Sequence, residues 1–101
     1  MTEQENYGPY RGYAVGPTLH PGEMLREELE AREMTQVALA KAMGRSPRLV
    51  NEIVRGRRSI TAEAALDLEA ALGISAMVWM GQQSQYDLST AITRRQRRVA
   101  V

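Results

Sequence analysis

Residues 38–58 read ALAKAMGRSPRLVNEIVRGRR, two short segments of helical periodicity joined by a Gly-Arg-Ser corner. Gly44 has no Cβ and therefore takes, at little cost, the left-handed conformation that ends a helix. Ser46 is a favourable N-cap for a second helix. Pro47 suits the first position of that helix, where a backbone N–H would be unpaired anyway. The spacing predicts two helices of about nine residues on either side of a tight turn.

Four residues occupy the characteristic positions of a helix-turn-helix. Gln36, Ala40, Gly44 and Val50 fall at relative positions 1, 5, 9 and 15. Ala40 must be small because the second helix crosses the first closely there, and Val50 locks the second helix onto the first. The apolar wedge between the two helices is completed by Leu39, Met43 and Ile53. Together these positions predict a helix-turn-helix.

Positive charge is concentrated around the turn, although the 101-residue chain has a net charge of only +1. Residues 35–60 carry six cations and one acid, whereas residues 22–34 carry five glutamates and two arginines. Residues 61–87 are acidic again, with a net charge of −4. A basic segment between acidic flanks indicates a binding patch for an anionic partner. A face of solvated arginines is the plain alternative, and the helix-turn-helix spacing disfavours it.

The length of the chain suits one domain with a modest core. Residues 1–19 hold three tyrosines without helical periodicity, which predicts an extended or flexible N-terminal arm. Residues 20–93 predict five short helices, the first starting at Pro21 and the fifth following Ser75. Residues 94–101 predict a basic tail. Because no hairpin signal is present, we expect an all-α fold, a compact five-helix bundle.

A helix-turn-helix presents the N-terminal end of its second helix to the major groove of DNA. Arg48 can donate two hydrogen bonds to guanine, and Asn51 can pair with adenine. Glu52 can either accept a hydrogen bond from cytosine or orient Arg48, and Arg55 can pair with Glu52 within the same helix. The predicted base-reading residues are Pro47, Arg48, Asn51 and Glu52.

Other residues, near helix N-termini and in the loop after the second helix, are placed for contacts to phosphate. The predicted phosphate-binding residues are Gln36, Arg45, Ser46, Arg55, Arg57 and Arg58. Each phosphate that is neutralised releases counterions, so we expect DNA binding that weakens steeply as salt is added.

A dimer is expected because one helix-turn-helix contacts few base pairs, whereas two related by a twofold axis read half-sites about 34 Å apart. Residues 77–80 are four consecutive apolar residues at the start of the fifth helix, too many for one buried stripe. The predicted dimer interface contains Met77, Trp79 and Met80. Trp79 also suits the monomer core against the first helix, and the sequence leaves both roles open.

No catalytic site can be assembled from this sequence. The chain has no cysteine and one histidine, which excludes thiolate ligands and a second histidine as general base. His20 and Glu23 have a plausible metal spacing, but a histidine beside a helix start is more often a cap. We therefore expect no enzyme, no metal and no cofactor. Because neither a secretory signal nor a membrane-spanning run is visible, we expect a cytoplasmic protein.

Four short motifs within residues 20–91 carry a family resemblance. They are His20-Pro21-Gly22-Glu23, Gly56-Arg57-Arg58-Ser59-Ile60-Thr61, Ala71-Leu72-Gly73 with Trp79, and Tyr86-Asp87-Leu88. With them the chain resembles the HigA/VapI-type antitoxins, a branch of the lambda-repressor-like (Xre/Cro) helix-turn-helix proteins. The resemblance implies a homodimer that binds a palindromic operator in its own promoter. It also implies a small partner toxin, typically a RelE-like ribosome-dependent mRNA endonuclease, that the antitoxin neutralises.

Two alternatives to this function stay open at the level of sequence. The first is a free-standing Xre-type repressor without a toxin, and the second is a module whose only task is to capture a toxin. The chain also departs from the family that it resembles, which usually has an apolar residue where Arg45 stands. We expect Arg45 to extend its head group to solvent or to phosphate. The residues of the second helix are particular to this chain, so no family operator sequence can be carried over.

Overall fold

A computed structural model of the chain describes residues 18–100, which form five helices and no strand. The helices are α1 (Pro21–Ala31), α2 (Gln36–Met43), α3 (Pro47–Val54), α4 (Ala62–Leu72) and α5 (Ala76–Ala100). The predicted all-α five-helix bundle is confirmed. The predicted N-terminal arm, apart from its last two residues, lies outside the described residues.

Side-chain caps fix where the helices begin. His20 Nδ1, Thr35 Oγ1 and Thr61 Oγ1 accept hydrogen bonds from backbone N–H groups in the first turns of α1, α2 and α4, at 2.9, 3.0 and 3.1 Å. These N–H groups have no partner inside their own helix, so the caps remove a cost of helix formation. At α5, Ser75 Oγ caps the first turn at 3.2 Å, and Glu69 of α4 accepts from the backbone at 2.6 Å. That carboxylate therefore ties α4 to the start of α5.

Apolar side chains from all five helices form one core. Its fully buried members include Leu25 of α1, Leu39 of α2, Ile53 of α3, Leu68 of α4 and Trp79 of α5. Burying one aliphatic side chain of this size contributes about 1.5–3 kcal/mol to the free energy of unfolding. Since α2 and α3 each place residues in this core, their orientation relative to the rest of the bundle is fixed.

The close crossing of α1 and α3 depends on Gly22. A Cβ atom at this position would lie 1.9 Å from the carbonyl oxygen of Ile53, far inside van der Waals contact. Glycine therefore lets the start of α1 lie directly against the end of α3. Through Gly22, the His20-Pro21-Gly22-Glu23 motif thus packs against the end of α3, the second helix of the helix-turn-helix.

Helix α5 is longer than the sequence predicts. It spans 25 residues and continues to Ala100, so the basic segment placed in a tail after residue 93 is helical almost to its end. Cations in the last turns of a helix interact favourably with its partial negative charge. No helix within residues 18–100 is both long and apolar enough to cross a membrane.

Gln83 of α5 connects the loop after α3 to the rest of the bundle. It is buried, its Oε1 accepts a hydrogen bond from the backbone N–H of Ile60 at 2.7 Å, and its Nε2 donates to Asp87 at 2.9 Å. Leaving the Ile60 N–H unpaired in the interior would cost about 1–3 kcal/mol. The loop that carries the predicted phosphate-binding arginines is therefore held at its far end by α5.

Candidate nucleic-acid interface

The turn between α2 and α3 has the geometry that the sequence predicts. Gly44 is left-handed, with φ 69° and ψ 29°, and its N–H donates to the carbonyl of Lys41 at 3.1 Å. The N–H of Arg45 donates to the carbonyl of Ala40 at 2.9 Å, which closes the end of α2. Ser46 Oγ then caps α3 by accepting from the backbone N–H of Leu49 at 3.2 Å. The chain therefore turns from α2 into α3 within three residues.

Burial fixes which face of α3 points outward. Val50 and Ile53 are fully buried against the rest of the core. On the opposite side Pro47, Arg48 and Asn51 are exposed, and the Arg48 side chain retains 89% of its accessible surface. The structure thus brings three of the four predicted base-reading residues to one free surface near the start of α3.

Glu52, the fourth predicted base reader, lies between two arginines. Its Oε1 accepts from Arg48 Nε at 2.9 Å, and its Oε2 accepts from Arg58 Nε at 3.1 Å. These hydrogen bonds, that from Arg58 foremost, hold the pKa of the Glu52 carboxyl below its usual value. The partner of Glu52 in the loop is Arg58, and the Arg55 pairing considered from the sequence is not formed among the described residues.

Asn51 and Gln36 form a second contact across the turn. Asn51 Nδ2 donates to Gln36 Oε1 at 3.0 Å, so the first residue of α2 orients the amide of α3. An amide carries two N–H donors and an acceptor oxygen, and this contact uses one donor. Asn51 keeps one donor and its oxygen, the pair that a bidentate contact to adenine requires.

The remaining cations around the turn fall into two groups. Arg45 extends outward, as expected, but its Nε donates to Asp67 of α4 at 2.7 Å, a partner not predicted from sequence. Within residues 18–98, Lys41, Arg55 and Arg57 are exposed and form no ion pair. Three of the six cations around the turn thus pair with two carboxylates, Glu52 and Asp67, and the surface keeps a net positive charge.

The predicted interface residues of α5 divide between the core and the surface. The Trp79 side chain is fully buried in the monomer core, which was one of its two expected roles. Met77, with 81% of its surface accessible, and Met80 are exposed, as is Val78 between them. The apolar surface at the start of α5 therefore consists of Met77, Val78 and Met80.

His20 is engaged as a helix cap. Its Nδ1 accepts from the Gly22 N–H, and its ring packs edge-on against Tyr86 with 4.9 Å between ring centroids. Burial lowers the pKa of the His20 imidazole, although the carboxylates of Asp87 and Glu23 act in the opposite direction. The described residues contain no group of three or more side chains suited to hold a metal ion.

Comparison with known proteins agrees with this geometry. The sequence matches the family described as helix-turn-helix over residues 25–79. It is 49% identical over 76 residues to virulence-associated protein I of Dichelobacter nodosus, across 74% of this chain and 70% of that protein. It is 41% identical over 68 residues to antitoxin HigA-1 of Vibrio cholerae, across 66% of this chain and 64% of that protein. The solved structure of Pseudomonas aeruginosa antitoxin HigA with the higBA promoter is similar to it, with a TM-score of 0.77 and 39% identity over 82% of this chain and 91% of that one.

This chain belongs to the HigA/VapI-type branch of the Xre/Cro-like helix-turn-helix family. That family is one of DNA-binding regulators and antitoxins, not of enzymes.

Sequence reasoning missed the contacts between residues far apart in this HigA-type chain. The Gln36–Asn51 and Arg45–Asp67 hydrogen bonds join residues 15 and 22 positions apart. Neither spacing has a local periodicity that would reveal it. The Glu52–Arg58 pair is six residues apart and depends on the path of the chain after α3. Only the Arg48–Glu52 pair, at helical i, i+4 spacing, had a signal in the sequence.

Proposed function

We propose that this protein is the sequence-specific DNA-binding antitoxin of a type II toxin–antitoxin module. It binds a palindromic operator as a homodimer, represses its own operon, and neutralises a small RelE-like mRNA endonuclease. The observation that carries the DNA-binding part is the exposed start of α3, where Arg48 and Asn51 lie on a rigid, capped helix. The antitoxin part rests on relatives named antitoxin HigA.

The chemistry of α3 supports readout of base edges. Among the described residues the two terminal Nη groups of Arg48 have no hydrogen-bond partner, and these groups match the O6 and N7 acceptors of guanine. Asn51 matches adenine, and the ring of Pro47 can contact a thymine methyl group. Each good bidentate contact discriminates against a wrong base by about 1–3 kcal/mol. Two or three such contacts per half-site suffice for sequence-specific recognition.

The cations that surround α3 support contacts to the DNA backbone. Arg55 and Arg57 are exposed without a carboxylate partner among the described residues, and Arg58 follows in the same loop. Ser46 and Gln36 lie at the N-terminal ends of α3 and α2, where backbone N–H groups favour an anion. Arg45, held by Asp67, adds a sixth group that can approach phosphate at the edge of the patch.

The homodimer is supported by the apolar surface of α5. Met77, Val78 and Met80 are exposed on a helix whose Trp79 already belongs to the core. Exposed apolar residues that cluster in this way are typical of protein interfaces. A twofold axis beside α5 makes this contact self-complementary, and twofold symmetry is what the reading of two half-sites requires.

An electrophoretic mobility shift assay tests the DNA-binding part. The probe is a duplex spanning the region upstream of the protein's own coding sequence, and a scrambled duplex of equal length is the control. We expect a discrete shift of the upstream probe that survives an excess of the scrambled duplex. Absence of any shift by folded protein at low salt would contradict the proposal.

Co-purification tests the antitoxin part. The protein, tagged and expressed together with its neighbouring genes, is expected to retain a small basic protein whose expression alone arrests growth. A specific DNA shift without such a companion would instead identify a free-standing repressor.

A further inference from the structure

The carboxylate of Glu52 is shared between the recognition helix and the loop after it. Oε1 accepts from Arg48 Nε at 2.9 Å, and Oε2 accepts from Arg58 Nε at 3.1 Å. The backbone carbonyl of Glu52 also accepts from the N–H of Arg57 at 2.8 Å. One residue of α3 thus holds a predicted base reader on one side and a predicted phosphate contact on the other.

We infer that Glu52 is a positioning residue for DNA recognition, which sets the arrangement of Arg48 and Arg58 and does not itself read a base. This inference rests on the proposed DNA binding and names what arranges the donors at that surface. Of the two roles open to Glu52 from the sequence, it selects the orientation of Arg48 over a hydrogen bond accepted from cytosine.

The occupancy of both oxygens argues against direct base readout. Each oxygen accepts a hydrogen bond from a guanidinium, and such charge-assisted bonds are roughly twice as strong as bonds between neutral groups. A cytosine amino group is neutral and would have to displace one of the arginines or share its acceptor. The two arginines also lower the pKa of the Glu52 carboxyl, which favours its ionised form.

Folding stability does not account for the arrangement. The side chains of Arg48 and Arg58 keep 89% and 48% of their surface accessible. Ion pairs that are this exposed add little to the free energy of unfolding. The value of the contact therefore lies in what it does for a bound partner, and variants at Glu52 should stay folded.

For DNA binding, the effect of the contact is to pre-organise the side chains of Arg48 and Arg58. A free arginine samples many rotamers, and fixing such a side chain at an interface weakens affinity by roughly two- to twelvefold. Glu52 limits this freedom in two arginines before DNA arrives. The bond to Arg48 uses only Nε, so both Nη groups remain for guanine.

Simple electrostatics and a positioning role predict opposite changes in DNA affinity when Glu52 is removed. A carboxylate beside a polyanion repels it, so removal of Glu52 should tighten DNA binding if charge alone mattered. If Glu52 positions the arginines, its removal should weaken binding to the cognate sequence although a negative charge has been lost. Binding to unrelated sequence, which depends mostly on charge, should stay equal or tighten.

The first experiment compares Glu52→Ala, the near-isosteric Glu52→Gln and the control Glu30→Ala with the unmodified protein. Glu30→Ala removes an exposed carboxylate from α1. Affinities are measured by mobility shift with the upstream duplex and with the scrambled duplex. For Glu52→Ala we expect about a tenfold loss on the upstream duplex and no loss on the scrambled one, the size of one oriented base contact. Glu52→Gln keeps one acceptor and should lose less, and Glu30→Ala should bind as the unmodified protein does.

The second experiment distinguishes positioning from base reading by a double-mutant cycle. Glu52→Ala is combined with Arg48→Ala in a double variant and with both Arg48→Ala and Arg58→Ala in a triple variant, and each is compared with the same arginine variant carrying Glu52. A positioning residue has nothing to position once the arginines are gone, so its removal should then cause no further loss. A loss of the same size in every background would show that Glu52 contacts a base and would overturn the inference.

The outcomes separate failure of the inference from failure of the proposed function. If the unmodified protein does not shift the upstream duplex, the proposed DNA binding is wrong. If it does shift the duplex, and folded Glu52→Ala and Glu52→Gln bind equally well or more tightly, the positioning role is wrong and the operator-binding role stands. Far-ultraviolet circular dichroism of each variant confirms that it is folded.

Discussion

Arg48 and Asn51 differ from the other polar residues of the turn in what their free atoms can do. The cations proposed to contact phosphate would bind a group that carries no sequence information, whereas these two offer donor and acceptor sets that match particular base edges. Both are also held by a neighbour, Glu52 for Arg48 and Gln36 for Asn51. In the proposed complex, the hydrogen bonds that read the bases therefore depend on these four side chains, of which Arg48 and Asn51 are expected to approach the bases.

Replacing Arg48 or Asn51 by alanine should reduce sequence discrimination more than it reduces total DNA affinity. Loss of one bidentate contact should weaken binding to the cognate duplex by about 1–3 kcal/mol and relax the base preference at one position. Competition by a panel of duplexes with single base-pair changes measures this. Arg26→Ala, which removes an exposed cation from α1, serves as a control and should leave the preference unchanged. An unchanged preference in Arg48→Ala and Asn51→Ala would remove both from the readout.

His20 makes the stability of the protein depend on pH near neutrality. Its cap uses the lone pair of Nδ1, and burial lowers its pKa from the usual 6.5. The unfolded chain therefore binds a proton more readily than the folded one. This contribution is complete above the unfolded pKa and is lost as the pH falls below it. We expect the melting temperature to fall between about pH 7.5 and about pH 5.5.

Asparagine at position 20 isolates this effect. It is a favourable N-cap and does not titrate, so His20→Asn should keep α1 capped and flatten the pH dependence of the melting temperature. Scanning calorimetry of both proteins at several pH values measures the difference. An equal fall in both proteins would assign the dependence to other groups.

At the scale of helices, two glycines in helical segments should respond to substitution with opposite signs. Gly22→Ala places a Cβ against the carbonyl of Ile53, so α1 must move away from α3. Overpacking of this kind costs about 1–3 kcal/mol or more. Gly81→Ala in α5 meets no atom within 4 Å and should raise the free energy of unfolding by about 0.5–1 kcal/mol. Urea denaturation of both variants provides the measurement.

A Gly22→Ala variant as stable as the unmodified protein would show that the two helices do not need to cross so closely. Because α3 rests on α1 at this point, we also expect a destabilised Gly22→Ala variant to bind the upstream duplex less tightly. Gly81→Ala provides the matched control for the loss of a glycine in a helix.

Helix boundaries were accessible from the sequence because their signals are local. Gly44 and Ser46 were predicted as the end of α2 and the N-cap of α3, and the structure places them there. The end of α5 was not predicted, since four arginines within five residues suggested a solvated tail, although arginine is a good helix former. Contacts such as Gln83 to Ile60 join residues 23 apart and need the packed bundle to define them.

The candidate interface likewise has features that local sequence patterns predict and features that only the packed bundle defines. The exposed positions of α3 follow from helical periodicity once Val50 and Ile53 are placed inside. The partners of those positions do not, because Arg58 and Gln36 come from neighbouring segments whose direction only the tertiary structure sets. Helical periodicity thus predicted which side chains of α3 face outward, and tertiary packing decided which of them form hydrogen bonds within the protein.

At the scale of the whole molecule, the two surfaces of greatest interest are different in kind. The surface around α3 is polar and basic, whereas the start of α5 exposes Met77, Val78 and Met80. One suits a polyanion and the other an apolar partner surface. Because Trp79 anchors α5 in the core beside the apolar surface, the monomer can fold with that surface open. Assembly can therefore be perturbed by substitutions that leave the residues of the basic surface around α3 unchanged.

Met77→Glu should dissociate the proposed dimer without unfolding the monomer. Met77 keeps 81% of its surface accessible in the monomer, so a carboxylate there stays solvated in the single chain and becomes buried and unpaired only in the dimer. Light scattering coupled to gel filtration should then give the mass of one 11.3 kDa chain, with circular dichroism unchanged. The matched control is Leu66→Glu, at a position on α4 with 54% of its surface accessible, which should leave the mass of the dimer intact. Monomeric Met77→Glu should bind the upstream duplex far more weakly, because it contacts one half-site at a time. A dimer that persists in Met77→Glu would place the twofold axis elsewhere on the molecule.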